Sequence, residues 1–157
     1  MLPQCRRLAI ASDRGYHVDM RIVVTGDRSW RCDDLATVIL RRLVQRYGAN
    51  LTVIHGGQIG VDQSFNEACK TLGISLEVRL ANWPQTGHPT IGTKNRELVK
   101  DGADLCIAVH QSIGRSQRTL DCVHQAIQAD IPTFLISDER AVPSRLRRAD
   151  PRLSGPT

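Results

Sequence analysis

Four polar stretches carry the residue types that could do chemistry. The first is Thr25-Gly26-Asp27-Arg28-Ser29-Trp30, which places an acid, a base and two hydroxyls directly after the run Ile22-Val23-Val24. The second is His55-Gly56-Gly57-Gln58-Ile59-Gly60-Val61-Asp62, after Leu51 to Ile54. Glycines let a phosphate approach the main chain, and a helix start after them points N–H groups at an anion. A tight turn that needs positive φ explains the same glycines, and both readings stand. The third stretch, Ala81 to Arg96, holds Trp83, Asn95 and Arg96. Trp83 either stacks on a base or pins its loop. Lys94, Asn95 and Arg96 open a helix whose dipole disfavours cations there, and an anionic ligand would compensate. The fourth, His110 to Thr119, brings Arg115, Ser116, Arg118 and Thr119. The combination suits a phosphate-bearing small molecule, a nucleotide foremost. Neither His55 nor His110 has a metal-ligand partner at a recognisable spacing, so no metal is expected, and no cofactor.

These stretches must be positioned by what lies between them. Ile22 to Val24 reads as a strand buried on both faces. Asp33 to Tyr47 follows as a helix, with Leu35, Ala36, Ile39, Leu40, Leu43 and Tyr47 on one face and Asp33 or Asp34 as cap. Arg41, Arg42 and Arg46 fall mostly on its solvated side, and Gly48 stops it. Leu51 to His55 is a second strand. The helix after it carries Val61, Phe65, Ala68, Cys69 and Leu72 on one side and ends at Gly73. Ile74 to Leu80 is a third strand, and Lys94 to Lys100 a helix. Asp104 to His110, the most apolar run, should be a central strand. Ser116 or Thr119 caps a helix running through Ala129, and Thr133 to Ser137 is a fifth strand.

Five strands alternating with four helices imply an α/β fold: a three-layer, Rossmann-like domain around a mainly parallel sheet of about five strands. Right-handed crossovers then bring all four polar stretches to one edge of the sheet, where open α/β sheets bind ligands. Residues 1–19 are expected to form an N-terminal extension, 20–137 the domain, and 138–157 a basic, flexible tail.

Composition narrows the function classes. The chain has 157 residues, enough for one domain with a useful core. No apolar run approaches the roughly 20 residues of a bilayer span. The first twenty residues lack a signal-peptide core, so the cytoplasm is the expected compartment. The five cysteines are scattered and none form a Cys-x-x-Cys pair, which reads as reduced, buried side chains. The net charge is +5, but residues 21–137 contribute only thirteen Lys/Arg against eleven acids. Most of the excess therefore sits in the ends. A nucleic-acid binder should concentrate it on the domain, so nucleic acid is not the expected partner. Nothing identifies an oligomer interface, and homo-oligomerisation stays open.

The motifs occur in the order Thr25 to Trp30, His55 to Asp62, Asn82-Trp83, Gly92 with Asn95-Arg96-Glu97, and Ser116 to Asp121. Together they resemble the YspA/cpYpsA-related branch of the SLOG superfamily, which includes the DNA-processing protein DprA and the LOG phosphoribohydrolases. The resemblance covers about residues 20 to 137. It implies a Rossmann-like fold and a nucleotide or nucleotide-derivative ligand; with the glycine loop and the convergent cations, the expected role is that of a sensor or carrier. The residues it marks for the ligand are Thr25, Gly26, Asp27, Arg28, Gly56, Gly57, Gly60, Asp62, Asn95, Arg96, Ser116, Arg118 and Thr119, with Trp83 against the base. LOG enzymes, which cleave the N-glycosidic bond of a nucleoside monophosphate, bind phosphate with Pro-Gly-Gly-x-Gly-Thr-x-x-Glu. Here Thr119 matches, Arg118 stands where glycine is usual, and Asp121 takes roughly the acid's place. As a hydrolase the chain would use Asp121 or Glu97 as acid, with Asp27 or Asp62 as second choices. DprA-like single-strand binding is the third alternative.

Overall fold

The computed structural model describes residues 19–79 and 102–154. A single six-stranded sheet has the order β3-β2-β1-β4-β5-β6. Its strands are β1 (Met20–Gly26), β2 (Leu51–His55), β3 (Ser75–Val78), β4 (Leu105–Val109), β5 (Thr133–Ile136) and β6 (Ser144–Leu146). The first five are parallel, and β6 runs antiparallel to β5. The helices among the described residues are α1 (Asp33–Tyr47), α2 (Val61–Leu72) and α3 (Gln117–Gln128). This is the expected three-layer, Rossmann-like arrangement. None of these helices is long and apolar enough to cross a membrane.

Strand alternation divides the core into layers. Ile22 and Val24 of β1, Leu51 and Val53 of β2 and Leu105, Ile107 and Val109 of β4 face α1 and α2. Val23, Ile54 and Cys106 face the other way, towards Cys122 and Ala126 of α3. Continuous β-branched runs arise because both faces are covered. β4 lies between β1 and β5, as its apolar run predicts. Cys32, Cys69, Cys106 and Cys122 are free and buried; Cys5 lies outside the described residues.

Helix ends follow the expected chemistry with one change. Gly73 closes α2 in the left-handed conformation (φ +71°), and its N–H bonds Cys69 O. Ser116 caps α3, its Oγ accepting from Thr119 N. The start of α1 is Cys32, whose N–H donates to Ser64 Oγ of α2 at 2.7 Å. Asp33, expected as a cap, instead pairs with Arg31. A side chain from the neighbouring helix thus holds the N–H of the residue that starts α1, and no side chain caps its first turn.

Beyond β5 the sheet gains one antiparallel edge strand, from residues expected as a flexible tail. β6 adds a sixth strand, pairing Leu135 with Ser144 and Thr133 with Leu146. A 3₁₀ turn at Pro151–Ser154 follows. Leu146 and Leu153 are buried with Ala108, Leu135, Leu120 and Val123. They cover the end of the sheet that would otherwise expose Leu135. The expected helix at Lys94 to Lys100 lies outside the described residues, as do Trp83, Asn95, Arg96 and Glu97.

Candidate functional site

The sheet order reverses between β1 and β4, since β1 connects outward to β2 and β4 outward to β5. Open α/β sheets offer a crevice at the carboxyl ends of such strands. Here Gly26 pairs with Val109. A Cβ on Gly26 would stand 2.4 Å from Val109 O and 2.7 Å from the Val61 side chain, so no larger residue fits. That absence lets α2 begin directly against β1.

The turn after β1 is fixed by its own acid. Asp27 Oδ1 accepts from Ser29 N at 2.7 Å. Asp27 N donates to Val109 O at 3.1 Å, and Asp27 O accepts from Val61 N at 3.0 Å. Gly60 has φ +78°, and a Cβ there would meet Asp27 O at 2.4 Å. The first and second polar stretches therefore interlock through backbone. Arg28 is exposed on this turn.

The glycine stretch after β2 closes around the chain's own side chains. Asp62, 5% exposed, accepts through Oδ2 from both Gly56 N and Gln58 N at 3.2 Å. Gly57 N donates to His55 Nδ1 at 3.0 Å. His55 Nε2 therefore carries the hydrogen and donates to Asn66 Oδ1 at 3.1 Å. Three successive donors expected to face an anion are thus engaged by Asp62 and His55. Burial pushes the Asp62 carboxyl above its ordinary value, against the opposing pull of His55, the Gln58 N–H, Arg118 and the Gly56 N–H.

The fourth stretch reaches the same place from α3. Ser116 Oγ lies 2.8 Å from Thr119 Oγ1, and Thr119 Oγ1 donates to Gly26 O at 3.4 Å. Arg118 Nη2 also reaches Gly26 O, at 3.5 Å. These are long contacts, so they place the groups without binding them tightly. Burial lowers the Arg118 pKa, while Asp62 holds it up. One guanidinium thus sits at the end of β1 beside two acids and the start of α3. His110, at the end of β4, accepts from Ser112 N through Nδ1 at 2.9 Å. Its Nε2 lies 3.9 Å from Asp27 Oδ2. Burial pushes its pKa down, Asp27 opposes this and Arg118 adds to it.

The structure brings together Thr25, Gly26, Asp27, Gly56, Gly57, Gly60, Asp62, Ser116, Arg118 and Thr119. Asp121 accepts from Gln125 Nε2 of its own helix at 2.8 Å. No cluster of three or more metal-ligating side chains occurs among the described residues. His55, His110 and Asn66 join the site although the resemblance does not mark them for the ligand. The one sequence signal is that each histidine stands where an apolar strand run ends; the structure adds that each uses Nδ1 to hold the N–H two residues on.

Residues 20–85 match the YspA, cpYpsA-related SLOG family. Among curated proteins, the Gene 61 protein of Mycobacterium phage D29 is 29% identical over 124 residues, covering 76% of this chain and 98% of that protein. No solved structure matches the chain. The family match supports a nucleotide-related, Rossmann-like domain.

Proposed function

We propose, taking the SLOG match of residues 20–85 as the premise, that the chain binds a phosphate-bearing nucleotide or nucleotide derivative and acts as a sensor or carrier. The observation that carries this reading is Arg118. Its half-buried guanidinium lies against Gly26 O at the β1/β4 crevice, next to the N-terminus of α3. A phosphate there would meet a delocalised cation and the positive end of a helix dipole. The glycine stretch takes a different part of the ligand, because Asp62 and His55 already engage its donors. Asp62 Oδ2 holds those donors, which leaves Oδ1 for a ligand hydroxyl or amine. Asp27 lies across the crevice as a second acceptor.

One observation favours a second reading, cleavage of an N-glycosidic bond. A general acid must keep its proton near neutral pH, and burial moves Asp62 in that direction. Asp62, rather than Asp121, is then the acid, with Arg118 on the phosphate.

A thermal-shift panel of nucleoside mono-, di- and triphosphates, ADP-ribose and dinucleotides tests the binding claim. Ligand at about 100 times its dissociation constant adds roughly 2.7 kcal/mol of stability, a clear shift. A blank panel contradicts the reading. Free base appearing in a positive mixture, and disappearing with Asp62→Asn, moves the function to hydrolysis.

A further inference from the structure

A cleft of about 300 Å³ lies on the α1 side of the sheet, away from the crevice. One wall is α1, through Ile39, Leu43 and Tyr47. The floor is Leu105 and Ile107 of β4 with Phe134 and Ile136 of β5, and Ala141 and Pro143 close the far side. The topology explains why it exists. Among the described residues, α1 and α2 lie on this face and α3 on the other, so beyond α1 no helix covers β5 here. Ala141 sits in the left-handed region (φ +58°), and Arg42 Nη1 donates to its carbonyl at 2.7 Å. Next to it Val142 is 64% exposed at the lip.

The walls are apolar and the fixed charges are of one sign. Arg42 and Arg46 line the cleft and no carboxylate does. Arg46 lies over the Tyr47 ring at 5.5 Å, and neither arginine has an ion-pair partner among the described residues. Arg145 stands over the Phe134 ring at 5.4 Å. A second copy of the chain packed face to face over the cleft would cover Arg42 and Arg46 with a patch whose lining offers no carboxylate. Arg42 Nη1 is held by Ala141 O and Arg46 Nε by the Tyr47 hydroxyl at 3.2 Å, so a neutral apolar ligand would leave both positive charges without a counter-charge. The size is at the lower end of small-molecule sites, roughly 300–1,000 Å³.

We infer that this cleft is a second ligand site, taking a medium-length alkyl chain with an anionic head group. The chain lies along Ile39, Leu43, Ile107 and Phe134, and the carboxylate meets Arg42 and Arg46. The site is separate from the nucleotide crevice and stands or falls without it.

The test is calorimetry and thermal shift on the full chain with decanoate below its micelle concentration, beside decanol and decyltrimethylammonium. Decanoate saturates one site per chain and raises the melting temperature, which a denaturing detergent would lower. Decanol binds about tenfold more weakly, and the ammonium gives no saturable heat. The paired variant Arg42→Gln with Arg46→Gln removes both charges, together with the Arg42 bond to Ala141 O, and brings decanoate down to the level of decanol while decanol binding, which reports an intact cleft, stays unchanged. Equal binding of all three amphiphiles, no saturable decanoate heat, or full decanoate affinity in the paired variant overturns the inference. Concentration-dependent dimerisation that Pro143→Glu abolishes, without decanoate uptake, assigns the face to a second copy and overturns it as well.

Discussion

At the scale of single residues, the crevice is built around a buried acid and glycines that nothing else can replace. Gly60 combines positive φ with a backbone oxygen 2.4 Å from where a Cβ would stand. Gly60→Ala should therefore cost about 2–3 kcal/mol in urea unfolding. An unchanged midpoint would mean that the two loops do not interlock as described. Asp62 makes a prediction in pH. Its folded-state pKa lies above the ordinary 3.8, so the native state holds the proton more tightly than the unfolded chain. That contribution is fully present below the unfolded pKa and is lost as pH rises through the folded one. Asp62→Asn removes the titration while keeping an acceptor for Gly56 and Gln58. The stability of the wild type relative to Asp62→Asn should fall as pH rises above the ordinary value of 3.8. Parallel profiles above that value would remove burial as the dominant influence on this carboxyl.

At the scale of elements, the limits of sequence reading follow from what each element depends on. The core of β1 and the bounds of α1 were legible because β-branched runs and a 3.6-residue apolar face are local signals. β6 was not, because Ser144-Arg145-Leu146 has no pattern of its own and exists only by pairing with β5. Leu146 and Leu153 each sit among arginines, prolines or polar residues, which read as solvent. The convergence of the polar stretches was also legible, since parallel topology forces it. What the glycine stretch holds was not: no spacing rule says that Asp62 turns back onto Gly56 and Gln58. His110 meets Asp27 only because β1 and β4 lie side by side, whereas the His55 partners, Gly57 and Asn66, lie within the next eleven residues. The C-terminal region gives its own test. Leu146→Ala should destabilise by about 2–5 kcal/mol, the range for a fully buried leucine. A flexible tail would tolerate it with no change in the unfolding midpoint.

At the scale of the whole molecule, the sheet order places one crevice at the β1/β4 reversal, and the loops supply it with charge. Arg118 joins α3 to the end of β1, where a ligand phosphate would replace its long contact to Gly26 O with a charge-assisted one. The direct measurement is a calorimetric double comparison: the four common nucleoside monophosphates and their parent nucleosides, each titrated into the wild type and into Arg118→Ala. Phosphate binding at Arg118 requires that at least one monophosphate bind the wild type at least tenfold more tightly than its nucleoside, and that Arg118→Ala remove most of this difference while leaving nucleoside binding nearly unchanged. A phosphate preference that survives intact in Arg118→Ala, or no preference in the wild type, would contradict it.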